Sequence, residues 1–292
     1  MIEKKINDFD KLWDYSNPEE TRKKFKALIP ELEKKKDKSE YIELLTQIAR
    51  TYGLQRKFDE AHKLLDNTMK LIKPDHIVPR IRYILERGRT YNSSGETEKA
   101  AEIFLAAFQQ AEKYNEDFYA IDAAHMMGIV EKEEESLRWN NLAIKMAEVT
   151  EDKRANGWLG SLYNNTGWTY HDDMKEYEKA MEIFKKNVIW HTERNSKTPL
   201  IIAKWCVART LRSMDKIKEA LEMQLKLAEE IEEKGIENTG YNYEEIGECL
   251  LLLNKADESK LYFKKAYNIL SKDIWLQANE KERLDRFEKL SK

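Results

Sequence analysis

Residues 85–104 read LERGRTYNSSGETEKAAEIF. A small residue, Gly88, is followed three places later by Tyr91, then by the turn-forming run Asn92-Ser93-Ser94-Gly95, and twelve places after Gly88 by a second small residue, Ala100, with Phe104 one turn beyond it. This is the skeleton of a helical hairpin. A small side chain on the first helix lets the second approach closely, and the Tyr and Phe rings fill the gap between successive hairpins. The same skeleton recurs as Ala49/Ala61, Ala124/Ser136, Gly167/Ala180, Ala208/Ala220 and Gly247/Ser259. The separation is 12 residues in every pair except Gly167/Ala180, where it is 13, and the extra residue falls in the turn His171-Asp172-Asp173-Met174-Lys175.

Outward from these anchors, the spacing predicts six helical hairpins over residues 40–272, an all-α chain. Gly88-x-x-Tyr91 with Ala100-x-x-x-Phe104, and Gly167-x-x-Tyr170 with Ala180-x-x-x-Phe184, carry the full small-x-x-aromatic and Ala-x-x-x-Phe pattern. Ala49-x-x-Tyr52 with Leu65 and Gly247-x-x-Leu250 with Phe263 carry it in part, and Asn140 and Gln224 stand where Phe is expected in the third and fifth units. A polar contact or a small rotation is expected there. Successive second anchors lie 36 to 44 residues apart, so the helices should be about a turn longer than in a 34-residue unit. Residues 1–39 are expected to form N-terminal helices packing on the array, one near residues 3–14 and one opening at Ser16-Asn17-Pro18-Glu19-Glu20, where a capping side chain, a first-turn proline and two acids coincide. Pro30 lies inside this second helix and should kink or end it. Residues 273–292 read as a charged C-terminal capping helix.

These residues resemble the tetratricopeptide repeat (TPR) superfamily over about four fifths of the chain, and stretches such as LGSLYNNTGWTYHD are similar to stand-alone bacterial members of unassigned function. The resemblance implies a right-handed superhelix, an α-solenoid, whose first helices line a concave groove. It implies binding and no activity. The chaperone-binding members would carry Lys and Asn on the inner faces of their first helices; here those places hold Thr46 and Arg50, Arg89, and Ile121 and His125, so that clamp is not reproduced. Peptide-sensing members of the quorum type carry an N-terminal effector domain, whereas about 40 residues precede the first hairpin here, so a DNA-binding head is not expected. The base-reading helical repeats need recurrent polar pairs that this chain lacks.

Composition fits amphipathic helices: 36% charged and 41% hydrophobic residues, with 10 Gly and 5 Pro. A net charge of -3 offers no global attraction to nucleic acid or an anionic membrane, and neither is expected as a partner. No signal-like apolar run opens the chain and no stretch of 18 uncharged apolar residues occurs, which makes the cytoplasm the expected location. Cys206 and Cys249, each within a predicted helix, read as buried reduced thiols.

On each first helix the residues spaced +4 and +3 around the small anchor form one stripe facing the groove. It holds Arg50, then Arg82, Leu85, Arg89 and Asn92, then His125, then Asn164, Trp168 and His171, then Trp205, Arg209 and Arg212, and finally Tyr241, Glu244 and Glu248. Every cation in the stripe is arginine, although arginine supplies only 14 of the chain's 51 basic residues. Guanidinium offers a planar fork to carboxylates and stacks on rings, and Trp168 and Trp205 share the face, so the stripe is expected to hold an acidic or carboxylate-bearing segment of a protein or peptide partner. The competing reading is structural: the arginines pair with Glu86, Asp122 or Glu248, and the tryptophans fill a narrow superhelix. A sensor of an anionic small molecule, or an enzyme, built around His125, Asn164 and His171 is a second alternative, and a scaffold acting through its convex face a third. No HExxH or Cys/His ligand set, GxxxxGK[ST], GxGxxG or GxSxG occurs, so no metal, cofactor or catalytic residue is expected.

Overall fold

The computed structural model describes residues 7–292, and the chain divides into two compact units, 1–162 and 163–292. In the first, a 3-10 turn, Asp8–Leu12, leads into α1 (Pro18–Leu32), followed by the pairs α2 (Ser39–Leu54) with α3 (Phe58–Met69), α4 (Ile77–Ser94) with α5 (Thr97–Lys113), and α6 (Asp117–Val130) with α7 (Glu133–Val149), then the short α8 (Lys153–Asn156). Each helix packs on the next, and α2, α4 and α6 also pack on one another in turn, which makes them the inner layer. The start of α1 is as the sequence predicts: the Asn17 side chain accepts from Glu20 N at 3.3 Å, and Pro18 is the first helical residue. Pro30 sits in the last turn, and the helix stops two residues later.

The helix expected near residues 3–14 is corrected in part and lies in part outside the described residues. From residue 7 onward only the 3-10 turn forms, and Trp13 is extended. Tertiary contacts win over local propensity here: Phe9 is buried edge-on against Phe25 with Leu44 and Ile48, Asp10 meets Arg82, and the Trp13 indole donates to Gln47 at 3.1 Å.

α9 (Leu159–Trp168) runs into a π-helical turn, Thr169–Asp173, which opens the second unit's series of α10 (Tyr177–Glu193), α11 (Lys197–Ser213), α12 (Ile217–Glu233), α13 (Tyr241–Leu252), α14 (Ala256–Leu270), α15 (Ile274–Asn279) and α16 (Lys281–Leu290). The π turn is where the extra residue goes. An i→i+5 turn absorbs one inserted residue without breaking the helix, so the hairpin keeps its packing despite the 13-residue spacing. The single capping helix expected over residues 273–292 is corrected to two, broken at Glu280 (φ -132, ψ 39): Asp273 caps α15, while Arg283 and Arg286 on α16 turn to Glu244 and Glu248.

The anchors work by contact. An added Cβ on Gly88 would fall 2.5 Å from Phe104, and one on Gly167 would fall 2.3 Å from Phe184; both rings are fully buried. In the third hairpin the same space lies beside Gly128 and is filled by the Asn140 carboxamide, with Ser136 Oγ donating to Gly128 O at 2.6 Å. Gln224, fully buried, accepts from Asn242 Nδ2 at 2.7 Å. Both irregular hairpins therefore carry the expected polar contact. The helices reach 17 or 18 residues in α4, α5, α7, α10, α11 and α12, as the long period requires.

Candidate functional site

In the first unit the inner-layer arginines meet carboxylates from the neighbouring helix. Arg82, 5% exposed, donates to both oxygens of Asp10 (2.6 and 2.9 Å) and to Glu43 Oε2 (3.0 Å). Arg89 donates to Glu86 Oε1 at 2.8 Å and to Asp122, and Arg50 reaches the same Glu86 oxygen at 3.3 Å. Burial works against the charge on Arg89, but Asp122 and Glu86 overcome it and hold its pKa above the ordinary arginine value. Arg50 also lies over the rings of Trp13 and Tyr15, at 5.8 and 5.3 Å from their centroids. His125 is buried against Trp158 at 5.1 Å between centroids, and burial, aided by Arg89 and Arg50 against Asp122, takes its pKa down to about 4. It is neutral at pH 7. Asn92 sits half-buried in the last turn of α4, apart from this cluster.

In the second unit Glu245 gathers two arginines: Arg212 donates to it twice, at 2.7 and 2.9 Å, and Arg209 lies 3.1 Å away. Glu244, 8% exposed, is held by Arg283 at 2.6 and 2.7 Å, and Glu248 by Arg286. Burial raises the Glu244 carboxyl above its ordinary value even with Arg283 opposing. The pair Glu244 and Glu248, expected as an acidic end able to receive a basic group, thus receives two from its own chain. Of the structural pairings weighed from sequence, those of Glu86 and Asp122 form, whereas Glu248 takes Arg286 and the α11 arginines take Glu245.

His171, in the π turn, is 2% exposed. Its Nδ1 is 2.6 Å from Asp172 Oδ1 and its Nε2 2.9 Å from Ser213 Oγ, which accepts from Arg209 at 2.6 Å. Because the Asp172 carboxylate can only accept, the neutral imidazole carries its proton on Nδ1, which leaves Nε2 to accept from the Ser213 hydroxyl. The imidazole is closed in by Trp168 and Tyr177, so this relay ties the π turn to α11. Asn164 accepts from the Cys206 thiol at 3.7 Å; the thiol is fully buried and its pKa is pushed up to about 12. The Cys249 thiol is likewise buried and pushed up to about 12. His125 belongs to the first unit and Asn164 and His171 to the second, each with contacts of its own.

The tryptophans are placed differently from the arginines. Trp168 and Trp205 stand 5.8 Å apart, Trp205 donates to Tyr241 O at 3.3 Å and meets its ring edge-on, and the three rings form one wall of a cavity of ≈460 Å³. Beyond those rings the lining is divided between aliphatic residues, Ile201 and Ile202 of α11, Leu227 and Ile231 of α12 and Ile236 beyond it, and the polar Asp172, Thr198, Glu237, Thr239 and Asn242. Ile202 remains 48% exposed. This is the size and character of a site for an apolar group.

No protein-family model matches the chain. No curated protein matches it. Solved structures do. RapI in its apo form superposes with a TM-score of 0.66 at 14% identity, over 91% of this chain and 76% of that one. A tetratricopeptide repeat protein from Parabacteroides merdae gives 0.54 at 19% identity, over 97% and 96%. The chain has the tetratricopeptide-like repeat fold. A third TPR-like neighbour, NprR in complex with its cognate peptide NprX, gives 0.59 at 13% identity, over 93% of this chain and 78% of that one. Among the described residues no helix of this TPR-like chain is long and apolar enough to cross a membrane, and no group of three or more His, Cys, Asp or Glu side chains is placed to hold a metal.

Sequence reasoning missed three sets of residues. Glu245 is adjacent to a predicted stripe residue, and a helix face wide enough to hold two neighbours would have included it. The aliphatic wall comes from both helices of the α11–α12 hairpin and the loop after it: Leu227, Ile231 and Ile236 lie off the stripe, whereas Ile202 precedes Ala208 by the same interval as Arg82 precedes Gly88 and Tyr241 precedes Gly247, so the repeat spacing could have found it. Trp13, Tyr15, Phe118, Arg154 and Trp158, which surround a cavity of ≈340 Å³ in the first unit, come from the N-terminal segment, the start of α6 and the region around α8, where no repeat signal points.

Proposed function

We propose that the chain is a non-enzymatic binding module that holds a segment of a protein or peptide partner on the inner layer of its hairpins, with an apolar side chain of that segment seated against Trp168, Trp205 and Tyr241. The observation that carries this is the cavity itself: an aromatic wall facing exposed and half-buried isoleucines, a surface that water covers at a cost. The TPR-like neighbour NprR, whose structure holds a cognate peptide, supports a peptide as the occupant. An acidic residue in the partner finds its support one turn along α11 from Trp205, where Arg209 and Arg212 share the single carboxylate of Glu245. In the first unit Arg82 and Arg89 are already matched by buried carboxylates, and they contribute to the fold before they contribute to recognition.

Selection of a random peptide library against the purified protein, followed by affinity measurement of the selected peptides by fluorescence polarisation, tests the reading. Burying one apolar side chain contributes about 1.5–3 kcal/mol, so Trp205→Ala and Ile202→Asp should each weaken binding roughly 10- to 100-fold. Removal of the charge at Arg209 should weaken acidic peptides more than neutral ones and make their binding less sensitive to salt. Failure to select any peptide, or selected peptides that bind both cavity variants as they bind the unaltered protein, would refute the proposal and turn attention to the outer face.

A further inference from the structure

The cavity in the first unit has a different chemistry from the one just described. Two pairs of rings border it, Trp13 and Tyr15 from the N-terminal segment and Phe118 and Trp158 from the region of α6 and α8. Trp13 and Tyr15 stack face to face at 4.7 Å and 4°, and Phe118 and Trp158 lie 5.8 Å apart. Four arginines line it. Three are engaged: Arg82 by Asp10 and Glu43, Arg89 by Glu86 and Asp122, and Arg50 by Glu86. The carboxylates of this wall are therefore matched in charge by arginines of their own, and one acceptor oxygen, Glu86 Oε2, is buried with no hydrogen-bond partner. Arg154 differs. Its guanidinium lies over Phe118 at 3.5 Å from the ring centroid, it is half-buried, and among the described residues it makes no side-chain hydrogen bond and no ion pair.

Two further donors in the same lining are unused: Trp158 Nε1 and Arg50 Nε are both buried with no hydrogen-bond partner. A buried N–H left without an acceptor is destabilising, because it has given up water and gained nothing in return. A cavity that holds an unpaired guanidinium and spare N–H groups between ring faces has donors in surplus and flat surfaces to stack on, and its natural complement is an acceptor-rich, flat molecule.

We propose that this cavity binds a small organic anion with a flat ring, its carboxylate or phosphate held by Arg154 and its ring placed among Trp13, Tyr15, Phe118 and Trp158. The site is separate from the peptide-anchoring cavity: every residue that forms it belongs to residues 10–158, and it stands whether or not the second unit binds a peptide.

Isothermal titration calorimetry of the full chain tests it with four probes: indole-3-acetate, adenosine 5′-monophosphate, adenosine, and inorganic phosphate. The expected result is binding of at least one of the two ring-bearing anions, with that anion bound at least about 10-fold more tightly than both adenosine and phosphate. Arg154→Gln should weaken it by roughly 10-fold or more, since a charge-assisted pair contributes about 1.5–3 kcal/mol. Arg154 has no ion partner to abandon, so the variant should fold as the unaltered protein does, checked by its circular dichroism and melting temperature. Binding of indole-3-acetate over the nucleotide identifies a carboxylate ligand, and the reverse a phosphate. The proposal is overturned if neither anion binds, if phosphate alone or adenosine binds as well as the better anion, or if Arg154→Gln binds like the unaltered protein. Trp205→Ala should leave this binding unchanged.

Discussion

Replacing four helical glycines by alanine, one at a time, should split them by sign according to what the new methyl meets. At Gly53 the nearest atom to an added Cβ is Thr90 Oγ1 at 3.9 Å, an ordinary contact, so only the helix preference for alanine remains, a gain of about 0.5–1 kcal/mol. At Gly88 the methyl would lie 2.5, 2.7 and 3.0 Å from three carbons of Phe104, and at Gly167 it would lie 2.3, 2.6 and 2.7 Å from three carbons of Phe184. Optimal carbon separations are about 3.5–4.0 Å. Both rings are 0% exposed, so relief requires moving a packed aromatic or spreading the hairpin. Overpacking of that kind costs about 1–3 kcal/mol, which offsets the propensity gain and leaves a net loss of up to about 2.5 kcal/mol. Gly247, 3.0–3.1 Å from Phe263, should fall between. Each comparison is made within one compact unit, Gly53 against Gly88 and Gly247 against Gly167, because repeat stabilities add through nearest neighbours and the two units need not melt together. Melting followed by circular dichroism resolves the effect, since 1 kcal/mol shifts the midpoint by about 2–4 °C in a domain of this size. A Gly88→Ala protein that melts at or above Gly53→Ala would refute the close-approach account of the anchors.

Other outcomes follow from the buried charges. Glu245→Ala should destabilise the second unit by about 1–3 kcal/mol in urea unfolding, because it strands Arg209 and Arg212 together; an unchanged midpoint would show that both find solvent freely. His125 has its pKa depressed to about 4 in the folded protein from an ordinary value of 6.5, so the stability it contributes is present above pH 6.5 and is lost as pH falls through 4. Its share is at most about 3 kcal/mol, and His125→Gln should visibly flatten the fall in unfolding free energy between pH 7 and pH 4.5, whereas an identical pH profile would contradict the neutral buried imidazole. The Asp172–His171–Ser213 relay has the bond order of an acyl-transfer triad, yet its imidazole is sealed by Trp168 and Tyr177; a fluorophosphonate probe should leave Ser213 unlabelled in intact protein, and labelling abolished by His171→Gln would overturn the non-enzymatic reading.

The fold was legible in the chain because a close helix approach can be met only by a small residue opposite a large ring, and that demand recurs at a fixed interval. Gly88 with Phe104 and Gly167 with Phe184 needed no coordinates to be found, and the extra residue after Tyr170 announced the irregularity that the π turn absorbs. Helical periodicity also says which side chains share one stripe of a helix. What periodicity does not contain is how much of its charge that stripe has already spent on itself. Whether Arg89 faces a ligand or Asp122 depends on the rotation of α6 against α4, and whether Glu244 and Glu248 stay open depends on where the chain breaks at Glu280 to deliver Arg283 and Arg286. The aromatic residues survive that accounting and the arginines largely do not, because rings keep an open face after packing while a buried guanidinium must find a carboxylate. The sequence alone therefore determined the repeat, its register and the face to inspect. Only the tertiary structure decided which groups on that face are left to bind something, because pairing across helices is set by distances between residues 33 to 72 places apart that no local pattern encodes.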